Sequence, residues 1–167
     1  MSGRENHGPV TEARVGCMLH YDASRSDAGA VAWLTKDPTC KVSYHWLVTD
    51  DGTAHVIAPH GRRAWHAGVC RSSDPKRLPY KDANSAFYGI AIAATDGETA
   101  TAAQVATVVQ LVRECFDRQR WPLSETWRIV GHDSEAWPRG RKHDPLGSNP
   151  ARPVLDVTQV RATLHGG

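Results

Sequence analysis

A chain of 167 residues with 40% hydrophobic and 23% charged positions has the size of one globular domain that buries roughly two-thirds of its unfolded surface. Its net charge of +2 comes without a Lys/Arg run long enough to follow a phosphate backbone, which argues against nucleic acid as a partner. No stretch approaches the roughly 18 apolar residues of a membrane span, and the polar first residues lack the apolar core of a secretory leader, so a monomer made in a cytoplasm is expected.

Residues 14–21, with Val15, Cys17, Met18 and Leu19, predict a short buried strand that delivers His20 to its C-terminal end. A short helix is predicted over 27–35, opened by a capping residue. Residues 41–49 are rich in β-branched and aromatic side chains, and the Asp50-Asp51-Gly52 turn makes them one arm of a hairpin with 53–58. Residues 87–94 predict a second buried strand. Over 101–120, Val105, Val108, Val109, Val112 and Phe116 share one helical stripe behind a Thr99 or Thr101 cap. Residues 127–130 read as a short strand ending at Gly131-His132, and 154–164 as a last helix. The expected fold class is α/β: a single domain over 1–167, core about 14–164, with a central mixed β-sheet flanked by α-helices. No repeat, low-complexity tract or Pro/Ser/Gly linker marks a second domain. The four cysteines form no C-x-x-C pair; free thiols are expected, with pairing of Cys40 and Cys70 left open.

The nine histidines raise the question of which converge. His20 and His132 fall at strand ends, where mixed folds mount polar sites, and Asp144 follows His132 in a Gly/Pro-containing loop able to fold back beside it. Two neutral imidazoles and a carboxylate leave a fourth position open on a hydrolytic zinc ion, which activates water and polarises a carbonyl. By residue type alone, the same three also read as a hydrogen-bonded strand histidine and two ordinary polar loop residues.

Ordered blocks then narrow the reading. They are Met18-Leu19-His20-Tyr21-Asp22-Ala23, Val42-Ser43-Tyr44-His45-Trp46-Leu47-Val48 with Asp51-Gly52-Thr53, Ala64-Trp65-His66-Ala67-Gly68, Asn84 with Tyr88-Gly89-Ile90, and Ile129-Val130-Gly131-His132-Asp133 with Arg141-Lys142-His143-Asp144-Pro145. From about residue 14 to residue 150 the chain resembles the zinc-dependent N-acetylmuramoyl-L-alanine amidases, a family that includes AmpD-type enzymes, phage amidase endolysins and peptidoglycan recognition proteins. The resemblance implies zinc held by His20, His132 and Asp144, and peptidoglycan or a muropeptide as the partner, cut between the lactyl group of N-acetylmuramic acid and L-alanine. One branch of that family has a tyrosine in the hairpin block, which is Tyr44 here, and another a glutamate in the strand block, where this chain has Ala91.

Tyr44 is therefore the candidate for orienting water and bonding the tetrahedral intermediate. Lys142, two positions before Asp144, is the candidate for stabilising the oxyanion. Arg141 and Arg63 are expected to meet peptide carboxylates, and Trp65 and His66 to wall the groove. His45, His55, His60 and His143 occupy no ligand place; His45 is a candidate hydrogen-bond partner beside the metal. The Tyr44 and Ala91 pairing points to an endolysin, released to the wall through holin-made holes without a cell-wall-binding domain of its own. A cytoplasmic recycling amidase and a non-catalytic peptidoglycan-binding module are the alternatives.

Overall fold

Strands that are apolar on both faces must be covered on both sides, and this requirement organises the molecule. The computed structural model describes residues 6–164. Its elements run β1 (His7–Gly8), β2 (Gly16–Tyr21), α1 (Asp27–Lys36), β3 (Trp46–Val48), β4 (Ala54–Val56), β5 (Arg63–Ala64), α2 (Ala83–Ala86), β6 (Phe87–Ile92), α3 (Ala102–Gln119), β7 (Ile129–Gly131), α4 (His132–Glu135) and α5 (Val157–Leu164). One sheet has the order β4-β3-β6-β2-β7. β3, β6, β2 and β7 lie parallel, and β4 pairs antiparallel at the edge. β1 and β5 pair apart from it. The mixed sheet with flanking helices agrees with the sequence-based expectation.

Side-chain alternation sorts the two faces. Cys17 and Leu19 of β2, Tyr88, Ile90 and Ile92 of β6, and Trp46 and Val48 of β3 join Val108, Val112 and Phe116 of α3 and Val160 and Leu164 of α5 in the main core. α3 begins with a capping box in which the Thr101 hydroxyl accepts from Gln104 N and the Gln104 side chain accepts from Thr101 N. Gln104 is also buried, and its Nε2 donates to Val48 O (3.3 Å) and Ala93 O (3.0 Å), tying the helix start to the ends of β3 and β6. On the opposite face, Met18, Phe87 and Val130 form one small cluster, while Leu47, Ala91 and Ala93 pack with Ala30 and Leu34 of α1 in another. His20 alternates with Leu19 and therefore emerges on this second face.

Several boundaries moved for physical reasons. β3 starts only at Trp46 because the preceding residues bond irregularly: Ser43 N donates to Trp65 O (3.2 Å) and His45 N to Gly89 O (2.8 Å). Residues 126–128 form a 3-10 turn instead of a strand start, with Arg128 stacked on Trp121 and Trp127 and donating to Val15 O. Gly131 closes β7, and His132 opens the short α4. Residues 154–156 bend back onto the preceding loop, Val154 N donating to Leu146 O (3.0 Å) and Leu155 N to Pro145 O (2.9 Å), so α5 begins at Val157. Cys40 and Cys70 are free thiols, each directed at a carbonyl of its own loop, Val42 O and Ala67 O. Among the described residues no helix is long and apolar enough to cross a membrane.

Candidate active site

Parallel pairing brings the C-terminal ends of β2 and β7 to one edge, where Leu19 and Gly131 are register partners. The next residues, His20 and His132, therefore stand level, with ring centroids 4.8 Å apart. The loop after α4 returns between them, anchored by Asp133 N donating to Asp144 O (2.7 Å). This places Asp144 Oδ2 2.7 Å from His20 Nδ1 and 3.0 Å from His132 Nδ1. The three side chains offer ligand atoms that all lie within 4.8 Å of one another.

The outer nitrogens of both imidazoles are spoken for. His132 Nε2 is 2.8 Å from Ala67 O, His20 Nε2 is 3.0 Å from His66 Nδ1, and His66 Nε2 is 3.3 Å from Phe87 O. A carbonyl only accepts, so these partners assign the hydrogen to Nε2 of His132 and of His66. His66 Nδ1 then accepts from His20 Nε2. The His20 and His132 imidazoles are both left with Nδ1 lone pairs directed at a carboxylate oxygen, an arrangement that repels itself unless a cation lies among the three. Two neutral nitrogens and one carboxylate fit zinc. The charge state agrees: burial pushes the His20 imidazole down to about 4 against the pull of Asp144.

The supports of this triad lie in stretches with no periodic pattern. Asn84 Oδ1 accepts from the backbone N–H of His66 (2.9 Å) and of Ala67 (2.8 Å), fixing both residues that serve the histidines. Gly89 must lack a side chain, since a Cβ there would stand 2.6 Å from the His66 ring. His45, the expected hydrogen-bond partner, instead accepts from Gly89 N at Nδ1 (2.9 Å) and meets Arg62 O at Nε2 (2.9 Å). The further histidine bonded to the triad is His66.

Tyr44 is buried, with its ring centroid 5.2 Å from that of His20. Ala91 is the register partner of His20 and shares a buried cluster with Tyr44, so a small residue stands where the other branch places a carboxylate. Burial, with Asp144 and Asp22 adding to it, pushes the phenol pKa up and keeps the hydroxyl protonated. A cleft of two lobes, about 360 and 320 Å³, opens over the triad; both are lined by Val42, His66, His132, Arg141 and Lys142. Lys142 is exposed. Arg141 lines both lobes while its Nε donates to Trp137 O (3.0 Å) and its Nη2 to Val69 O (2.8 Å). Trp65 lines the second lobe. Arg63 stands behind it, 4.3 Å from the indole ring and with Nε 3.0 Å from Asp82 Oδ2, and is not a lining residue of either lobe. His143 lines the first lobe, whereas His55 borders a depression of about 480 Å³ between α1 and the β3–β4 hairpin that contains none of the triad. That depression is larger than either lobe alone, but the convergent His and Asp side chains lie at the two-lobed cleft, which makes the cleft the candidate site.

Buried neutral histidines carry a stability signature. Burial, with Arg14 adding to it, pushes His45 down to about 3, and burial takes His20 to about 4. The unfolded chain binds these protons near pH 6.5, so between pH 6.5 and about 4 it holds more protons than the folded chain, and folding stability falls as pH drops through that window. The metal-free protein is expected to show a lower urea midpoint at pH 5 than at pH 7.5. Equal midpoints would contradict neutral buried imidazoles.

Donors able to hold one cation at the foot of an open two-lobed cleft have the composition that hydrolytic metal sites use. Residues 13–147 match the family described as N-acetylmuramoyl-L-alanine amidase. The chain belongs to that family and is a peptidoglycan amidase. Among curated proteins no sequence match is found. Solved structures share the fold. A selenomethionine derivative of AmpD is 23% identical over 97% of this chain and 91% of its own, with a TM-score of 0.74. AmiD from E. coli, in complex with anhydro-N-acetylmuramic acid-L-Ala-D-gamma-Glu-L-Lys, is 20% identical over 90% of this chain and 57% of its own, with a TM-score of 0.70. The endolysin amidase LysCS from Clostridium intestinale is 16% identical over 98% of this chain and 88% of its own, with a TM-score of 0.64.

Proposed function

We propose that the chain hydrolyses the amide between the lactyl group of N-acetylmuramic acid and L-alanine, with zinc held by His20, His132 and Asp144. The observation that carries this reading is the pair of Nδ1 lone pairs converging on Asp144 Oδ2 with both outer nitrogens already engaged. When bound there, zinc supplies a Lewis acid and lowers the pKa of water. The remaining work falls to the chain. His66 and Ala67 O hold the two imidazoles in the ligating tautomer. Tyr44, kept protonated by burial, offers a hydroxyl that orients water and bonds the tetrahedral oxygen, with no carboxylate at Ala91 to act as base. Lys142 brings a fixed positive charge to the oxygen on which negative charge develops. Arg141, Trp65 and His66 form the wall along which the substrate lies, and Arg63 acts on it through Trp65.

The substrate class is taken from the ligand of AmiD, a muramyl sugar joined to a short peptide with free carboxylates. Purified protein is expected to carry one zinc per chain and to release, from a muramyl tripeptide, a sugar ending in the lactyl carboxylate and a peptide with a free alanine amine. Full activity after complete zinc removal, or cleavage at another bond, would overturn this reading. Tyr44 beside Ala91 supports a lytic, endolysin-type role on the intact wall. The Asp144 loop and the likeness to AmpD favour a recycling amidase instead. Faster release from intact sacculi than from anhydro-muropeptide is the outcome expected for the lysin, and a clear preference for the soluble fragment defeats it.

A further inference from the structure

We propose that an exposed aromatic and cationic patch outside the cleft, built from Val69, Arg71, Trp137 and Arg139, is a docking surface for a polyol-phosphate polymer carried by the wall. It rests on the amidase reading only for its setting, a cell wall. Two stretches distant in sequence run side by side to make the patch. Cys70 and Ala136 form an isolated antiparallel bridge, Arg71 N donates to Glu135 O (2.9 Å), and Trp137 N donates to Val69 O (3.0 Å). On this frame Val69 is 66% and Trp137 38% exposed, so both offer apolar surface to a partner. The Arg71 guanidinium stacks 4.0 Å from the indole centroid, and that of Arg139 lies 5.8 Å away. Arg141, which lines both lobes of the cleft, donates from Nη2 to Val69 O (2.8 Å), so the patch is continuous with the cleft.

The charge of the patch has one sign. Arg139 donates from Nη1 to Ser134 O and Ala136 O (3.2 Å) and from Nη2 to Arg71 O (2.9 Å), all of them neutral carbonyls. Among the described residues no carboxylate pairs with Arg71, Arg139 or Arg141. The neighbouring acid, Glu135, is fully buried and turned inward, accepting from Ser73 N (3.1 Å) and Tyr80 Oη (2.8 Å). Carbonyl bonds and ring stacking hold the guanidinium groups in place before a partner arrives, so they bind an anion with little further ordering. A phosphodiester repeat offers one negative charge on two free oxygens, which suits such forks, and its polyol links lay C–H groups on the exposed indole and Val69. Other polyanions fit less well. Nucleic acid bases need successive aromatic platforms, whereas this patch has one indole, already stacked by Arg71. An anionic bilayer needs a broad apolar face, and Val69 and Trp137 are only two side chains.

The full chain is titrated at low salt with three soluble probes: a glycerol-phosphate oligomer, a single-stranded oligonucleotide of matched charge, and phosphatidylglycerol vesicles. The parent is expected to bind the glycerol-phosphate oligomer most tightly. Arg71→Gln combined with Arg139→Gln is expected to weaken that binding about tenfold, a loss that shrinks as salt rises, and the corresponding double lysine variant to recover part of it. Trp137→Leu is expected to weaken it about fivefold. All these side chains are exposed and lie outside the triad, so turnover of a muramyl tripeptide is expected to stay at the parental level in each variant. Equal affinity of the parent and the double glutamine variant, or tighter binding of the oligonucleotide or the vesicles by the parent, overturns the proposal. Polymer binding by a parent that cleaves no muramyl tripeptide upholds the patch and overturns the amidase reading instead.

Discussion

Asp144→Asn is expected to leave a folded protein that has lost both its zinc and its amidase activity. The substitution keeps shape and removes charge. Asp144 is the single anionic donor, and its Oδ2 meets both Nδ1 atoms. An amide in its place donates a hydrogen to one of those lone pairs, which relieves in the metal-free state the repulsion that otherwise favours a cation. Removing partners outside the ligand set costs roughly 10 to 100-fold in metal affinity, so losing a ligand is expected to exceed about 100-fold. Metal analysis after dialysis, together with muramyl tripeptide turnover, reads both effects. A variant that retains one zinc per chain and near-parental turnover would remove Asp144 from the site.

Lys142→Ala separates chemistry from metal binding. The side chain is exposed and lines both lobes over the triad, so its loss leaves no buried cavity and takes no ligand away. If its ammonium meets the oxygen that becomes negative, the interaction strengthens in the transition state, and kcat falls with little change in KM. The expected loss is about 100 to 1,000-fold in kcat, the range for removing one oxyanion donor, with zinc content unchanged. Lys142→Arg is expected to recover part of it. A loss confined to KM would make Lys142 a substrate anchor.

The strands that set the two histidines level were legible in the sequence, because apolar runs such as Val15 to Leu19 have few other places to go. The α3 stripe was equally plain, with only Val105 left half-buried beside the core. Asp144 became a ligand candidate by order of motifs, since a loop residue carries no periodicity to betray where it folds back. What escaped was the arrangement behind the triad. The exchange of hydrogens from His20 to His66 to Phe87 O depends on the irregular path of residues 65–86, held by Asn84 and by two-residue strands too short to show a pattern. Gly89 stood in a matched block, yet its reason is a ring from a distant segment. The engagement of Arg141 with carbonyls of Trp137 and Val69 is likewise a matter of loop against loop, which residue type alone does not reveal.

His66 and Ala67 are neighbours in sequence, yet each serves a different zinc-ligand candidate, and one amide oxygen of Asn84 secures them both. The two imidazoles consequently cannot be tuned one at a time. Drift at 84 disturbs the pair together, and a bulkier residue at 89 is admissible only where 66 has become smaller. Positions 66, 84 and 89 should therefore change in concert or not at all among close relatives of this chain.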